Sequence, residues 1–159
     1  MENESVNELI KQGLSALKAG SKVAEQATAE IQNDARNPQL KAALDKGNDT
    51  SKQWSERIDR ALAEVGGSDQ QENPILQAHY DVSQKIRQQA TDDTARDLGI
   101  IAAGQLALHY WIASFGTLQA YAEKAGLQQT VSELQASLEE ARQADEAHNQ
   151  IAGQIMNAA

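Results

Sequence analysis

Apolar residues recur along this chain at intervals of three and four, the spacing of one helix face, and no stretch alternates as a strand would. Val6, Ile10, Leu14, Leu17, Ala24 and Ile31 predict a first helix over Glu4–Asn33. Asn37-Pro38 marks a restart, because an asparagine side chain caps free N–H groups and proline suits the first helical position. Leu40, Leu44, Trp54, Ile58, Leu62 and Val65 carry a second helix up to Gly66-Gly67. After a polar SDQQ loop, Asn73-Pro74 opens a shorter helix with Ile75, Leu76, His79, Val82 and Ile86. Asp92 and Asp93 can cap the next helix, which runs to Ala125 and stops at Gly126. Val131, Leu134, Leu138, Ala141 and Ala152 mark the last one.

Four long helices joined by tight connections predict an antiparallel four-helix bundle, with the one additional short helix lying in the crossover. Composition agrees: Ala, Gln, Glu, Leu and Lys are abundant and there are two prolines, which makes the chain all-α. Its 159 residues suit a single domain, 1–159, with no Gly-, Pro- or Ser-rich linker and no repeat.

One segment breaks the amphipathic rule. From Leu98 to Ala122, around LALHYWIASFGTL, there is no charged residue. That length could span a membrane. However, the segment holds Gln105, His109, Ser114, Thr117, Gln119 and three glycines, and its flanks Arg96-Asp97 and Glu123-Lys124 balance in charge. Its amphipathic neighbours also need an apolar partner. The expectation is therefore a central bundle helix and no membrane span. A homodimer formed through the apolar third and fourth helices is also expected. Trp54, Trp111 and Phe115 read as core or interface anchors. Gly13, Gly20, Gly99 and Gly104 cost helix propensity, and close helix approach is the reason they suggest.

Fourteen basic against 23 acidic residues give a net charge of −9. Nucleic-acid binding needs clustered basic charge, so no nucleic-acid partner is expected. With no cysteine, thiolate metal sites and cysteine nucleophiles are excluded. The start, MENESVNELIKQG, has neither the basic end nor the apolar stretch of a signal peptide, and the cytoplasm is the expected location.

The segment ARDLGIIAAGQLALHYWIASFGTLQAYAEKAG resembles the signature helix of the YciE/YciF family of ferritin-like bacterial stress proteins. Arg96-Asp97, Ala102-Ala103, Gln105, His109-Tyr110, Ile112-Ala113 and Gly116-Thr117-Leu118 carry the match. SLEEARQAD (Ser137–Asp145) and Glu56-Arg57-Ile58-Asp59 resemble two further family stretches. The resemblance implies a ferritin-like, dimeric bundle associated with stress responses and with ferroxidase chemistry. Ferritin-like di-iron sites use a Glu on each of two helices and Glu-x-x-His on the other two. Carboxylates bridge two hard cations and imidazoles complete the coordination.

This sequence departs from the family at those positions. Where the family reads E-H-Y-E, Leu108 and Trp111 replace the two glutamates around His109-Tyr110. Aligned through Glu56–Asp59, the family's E-x-x-H falls on Asp49 and Lys52, and a first-helix Glu falls near Ser21. Helical phase sets Asp49 and Lys52 away from the Leu44–Ile58 stripe.

A residual set remains. Asp145 and His148 are three apart, and in a hairpin turning at Gly126 His109 lies level with roughly residue 143. His109, Asp145 and His148 could then converge with Glu139 or Glu140 beside them, as half of a carboxylate–imidazole site or as a buried His–Asp hydrogen bond. The hydrogen bond is the leading expectation, because the other two helices supply no convincing ligand. Asp145-Glu146-Ala147-His148 spells a helicase motif, but there is no phosphate loop to go with it.

Three readings follow. The first is a stress-associated structural or interaction protein with a degenerate, metal-free site, no cofactor and no catalytic residue. The second is a divergent iron oxidase or ferroxidase using His109, Glu140, Asp145 and His148. The third is a carrier of a small apolar ligand within the bundle.

Overall fold

Capping chemistry sets two of the helix starts. Asn37 Oδ1 accepts from the N–H groups of Gln39 and Leu40 at 2.9 and 3.0 Å, and Asn73 Oδ1 accepts from that of Leu76 at 3.0 Å. A proline follows each asparagine, where its missing N–H costs nothing. In the computed structural model, which describes residues 2–159, the helices are α1 (Glu2–Asp34), α2 (Pro38–Glu64), α3 (Pro74–Gln89), α4 (Asp93–Ala125) and α5 (Gln128–Ala158). Among the described residues all regular structure is helical. Asp92 caps α4 through Ala95 N–H, and Gly126 ends it with a φ of 75°, a left-handed conformation that suits glycine.

The helices pair as two hairpins. α1 packs on α2 and α4 packs on α5, while α2 lies beside α5 and α1 beside α4. The four long helices thus form a ring in the order α1, α2, α5, α4, with α3 outside it against α4 and α1. The α2–α3–α4 connection crosses from one end of the bundle to the other. α3 fits closely because two of its neighbours present glycine: a Cβ on Gly20 would lie 2.5 Å from Leu76 Cδ1, and one on Gly99 would overlap Ile86. At its far end Arg87, buried, bonds Asp34 Oδ2 at 2.8 Å and Ser83 Oγ at 2.6 Å, which ties α3 to α1.

Each hairpin supplies a carboxylate to the turn of the other. Asp97 of α4, 4 % exposed, accepts from Arg36 N–H and Asn37 N–H, each at 2.8 Å, and so holds the α1–α2 turn. Glu64 of α2 accepts from Thr130 N–H at 2.7 Å, Thr130 Oγ1–H at 2.6 Å and Gln129 N–H at 3.3 Å. These donors lie in the first turn of α5, whose own N-cap, Leu127, makes no side-chain cap bond. Free N–H groups at a helix start attract a carboxylate through both hydrogen bonding and the helix dipole.

The helix that carries the uncharged segment forms one wall of the bundle, with a third of its most apolar stretch buried. α4 is long and apolar enough to cross a membrane, yet α1, α3 and α5 pack against it. Ile100, Ala107, Trp111, Phe115 and Leu118 form its buried stripe, and Leu106 and Tyr121 remain exposed.

Because hydrogen bonds to a charged group contribute about 1.5–3 kcal/mol each, Asp97→Ala should lower the unfolding free energy by about 3 kcal/mol. Urea denaturation checks this. A loss below about 0.5 kcal/mol would mean that packing alone holds the turn.

Candidate functional site

The apolar interior divides into two clusters. One gathers Ile10, Leu14, Trp54, Ile58, Trp111, Phe115 and Leu138 around the half of the bundle nearer the α4–α5 turn. The other gathers Ile31, Ala35, Leu40, Ile100, Ile101 and Ile155 at the opposite end. Tyr80 of α3 packs against both. A cavity of about 210 Å³ opens at mid-bundle, with residues of all five helices in its wall. α1 gives it Thr28 and Ile31, α2 gives Leu44, Asn48, Ser51 and Trp54, and α3 gives Tyr80. Gly104, Ala107, Leu108 and Trp111 come from α4, and Glu140, Ala144 and His148 from α5.

Its aromatic wall is a packed set. Trp54 and Trp111 have ring centroids 5.6 Å apart, and Phe115 stands edge-on to Trp54 at 5.2 Å. Burial pushes the Tyr80 hydroxyl up to about 12, a shift the neighbouring Trp111 partly opposes, so this hydroxyl keeps its proton at any physiological pH.

Glu140 is the acidic residue in the wall, and its oxygens are already engaged. Arg57 Nη1 and Nη2 grip Oε2 and Oε1 at 2.7 and 2.8 Å, and Trp54 Nε1 donates to Oε2 at 2.9 Å. The bidentate Arg57 contact holds the Glu140 carboxyl below the usual range, against the opposing effect of burial. Two turns back toward the start of α5, Arg60 binds Glu133 with Nε and Nη2 at 2.6 and 3.0 Å, continuing an ion-pair ladder between α2 and α5.

The four residual candidates separate. His109 Nε2 meets Asp145 Oδ2 at 2.9 Å, so the register expected from the hairpin is correct. The pair is not buried as expected, because the His109 side chain is 65 % exposed. His109 follows Ala107 by two positions on α4, which turns it away from the buried Ala107–Trp111 stripe. His148 does not join the pair. It is buried in the wall of the cavity, its Nδ1 donating to Ala144 O at 2.7 Å. Glu140 shares that wall. The expected convergence of His109, Asp145 and His148 does not form: His109 bonds Asp145, while Glu140 and His148 stand apart in the cavity wall, each with its own partners. Among the described residues, no three His, Asp or Glu side chains come together as a metal ion would require.

Asp49 and Lys52 face solvent, 75 % and 71 % exposed, as helical phase predicted. The inward positions of α2 are Asn48, Ser51 and Trp54, and on α1 the wall is made by Thr28 and Ile31 rather than Ser21. Leu108 and Trp111 do face the cavity. The sequence reading missed Arg57 as the partner of Glu140. Arg57 follows Trp54 by three positions, and that spacing was the available signal.

The described residues form five helices around a largely apolar cavity. The profile of the family described as a domain of unknown function (DUF892) matches residues 5–159, and the chain belongs to that family. Among solved structures, the E. coli stress protein YciF superposes with a TM-score of 0.92 at 23% identity, over 97% of this chain and 98% of that one. The YcfI protein of Rhodopseudomonas palustris gives 0.87 at 25% identity, over 91% and 92%. A protein of Xanthomonas campestris pv. campestris gives 0.73 at 21% identity, over 97% and 94%. No curated protein sequence matches. The YciF resemblance read from Arg96–Asp145 is thereby confirmed, and the fold is YciF-like.

Glu64, Glu133 and Glu140 all titrate below the ordinary carboxylate value of 4.5. For Glu64, burial pushes the other way and the Thr130 and Gln129 hydrogen bonds outweigh it; for Glu133 the Arg60 hydrogen bond leads. The folded state therefore holds these protons less tightly than the unfolded chain. Their contribution to stability is complete above that ordinary value and is lost as pH falls through the depressed ones. Unfolding free energy measured against pH should decline from pH 4.5 downward. Glu140→Gln should be less stable than wild type at pH 7 but show a shallower acid decline. An unchanged acid slope would remove Glu140 from this role.

Proposed function

We propose that this protein is a ferritin-like bundle with a degenerate di-iron position, acting in the cytoplasm as a stress-associated structural or interaction module. The observation that carries this reading is the state of Glu140. In a di-iron site that carboxylate would neutralise metal charge, and here the Arg57 guanidinium takes that place, with Trp54 bonding one of the same oxygens. Around it, Leu108 and Trp111 offer no lone pair to a cation, and α1 and α2 give the wall no carboxylate or imidazole, only neutral side chains and the Lys46 ammonium. The residues present do not fit a pair of metal ions. The ring order of helices and the single long crossover support the ferritin-like assignment.

The interaction surface in this reading is a groove between α3 and α4. Pro74, Ala78, His79 and Ala103 line it, and Ile75, Val82 and Leu106 stand exposed along it. Exposed apolar side chains grouped in this way mark association surfaces, and the partner proposed is a second copy of the chain.

Iron loading tests the metal-free reading. Protein incubated with Fe(II) without oxygen and then desalted should retain far less than one iron per chain and consume no oxygen on mixing. Stoichiometric iron with oxygen uptake that disappears in His148→Ala or His109→Ala would overturn it. Sedimentation velocity tests the groove: wild type should sediment as a dimer and Leu106→Glu as a folded monomer. A monomeric wild type would remove the dimer from the proposal.

A further inference from the structure

Protein interiors pack at the density of organic crystals, and an unfilled apolar void costs stability through the contacts its walls lose. A bundle with only a structural task gains nothing from 210 Å³ left open at its centre. The side chains that leave it open are the smallest available: Ala103, Gly104 and Ala107 on α4, Ala144 and Ala147 on α5. Gly104 differs in kind from Gly13, Gly20 and Gly99. At those three a Cβ would press into a neighbouring side chain, whereas at Gly104 it would meet His148 Nε2 at an ordinary 3.6 Å. Helix approach therefore does not require glycine at position 104. The absence of a side chain there enlarges the open space beside His148.

The chemistry of the wall narrows what could fill it. Trp54, Trp111 and Tyr80 offer flat aromatic surface on one side, and Ile31, Leu44 and Ile100 close the other. The Glu140 charge is balanced by Arg57, and the other charged member of the wall, Lys46, is exposed at the rim. His148 donates Nδ1–H to the Ala144 carbonyl, and a neutral ring so fixed carries its lone pair on Nε2. Among the described residues Nε2 has no hydrogen-bond partner, and it lies on the Gly104 side of the cavity. Size sets the final limit, since an apolar cavity of about 150 Å³ accommodates benzene. This one takes a single ring with a substituent. Lys46 and Gln143, exposed members of the wall, mark its mouth between α2 and α5.

We propose that the cavity binds a small neutral aromatic molecule bearing one hydroxyl group, a monocyclic phenol in chemical class. The ring lies against Trp54 and Trp111, and the hydroxyl donates to His148 Nε2. The inference rests on the metal-free reading above, because metal ions at the bundle centre would claim the same space.

Trp54 and Trp111 are the two tryptophans of the chain, and both line the cavity, so intrinsic fluorescence reports on this site. Phenol added to chelator-treated protein should change that fluorescence saturably, and calorimetry should give one phenol per chain. Gly104→Leu and Ala147→Leu each fill the space and should weaken binding by at least about tenfold, the factor that corresponds to 1.4 kcal/mol. Two variants are used so that a folding defect in one, seen by circular dichroism, leaves the other decisive. His148→Phe should weaken phenol about fivefold to tenfold, the range for one lost hydrogen bond, and leave toluene unchanged. Absence of saturable binding of both phenol and toluene would overturn the proposal, as would phenol affinity unaffected in a folded filling variant. Equal losses for phenol and toluene in His148→Phe would overturn the hydroxyl contact. Iron retention is measured separately, so failure of the metal-free reading and failure of the ligand site give different results.

Discussion

Two buried or half-buried carboxylates hold the two helical hairpins against each other. Asp97 leaves α4 to bind the turn between α1 and α2, and Glu64 leaves α2 to bind the start of α5. Helix starts expose N–H groups that the helix itself cannot satisfy. Here each hairpin satisfies those of the other, at opposite ends of the bundle. The exchange fixes the axial register of α2 against α5 and of α4 against the α1–α2 turn. The interior geometry depends on that register, because a slip of one helical turn, about 5.4 Å, would separate Arg57 from Glu140.

Within that frame the interior splits into two packed ends and an open middle. The α4–α5 end is filled by Trp54, Trp111 and Phe115 with their aliphatic neighbours, and the other end by isoleucine and leucine. Between them α4 and α5 carry glycine and alanine. Such an arrangement is stable only if the ends supply enough burial to offset the contacts missing at the centre. The Arg57–Glu140 contact serves the same middle layer. It lets a carboxylate stand at the edge of an apolar space without an uncompensated charge, and it leaves both Trp54 and Trp111 free to present their faces to the cavity.

The legible and illegible parts of the sequence differ in physical kind. Helix boundaries were legible because capping and termination are local: Asn37-Pro38, Asn73-Pro74, Asp92 and Gly126 each act within one turn. The family was legible because Arg96–Asp145 preserves a long run of specific residues. The faces of α4 were not. With apolar residues all round, its periodicity does not separate the buried Ala107 and Trp111 from the exposed Leu106, nor show that His109 turns outward. Glu140 was singled out by sequence, but its partner was not, since Arg57 lies 83 positions away and only packing of α2 on α5 brings them together.

The sequence by itself determined an all-helical chain, its five segments, and the identities of Leu108 and Trp111 on either side of His109 and Tyr110. Those follow from local chemistry and from side-chain identity, which need no neighbour to be read. Tertiary structure alone decided that His109 pairs with Asp145 on the outside while His148 turns inward. It also decided that Arg57 neutralises Glu140 and that small residues on two helices face one another across a shared space. A cavity belongs to no single segment: it is what several packed helices leave unfilled, and only their arrangement in space defines it.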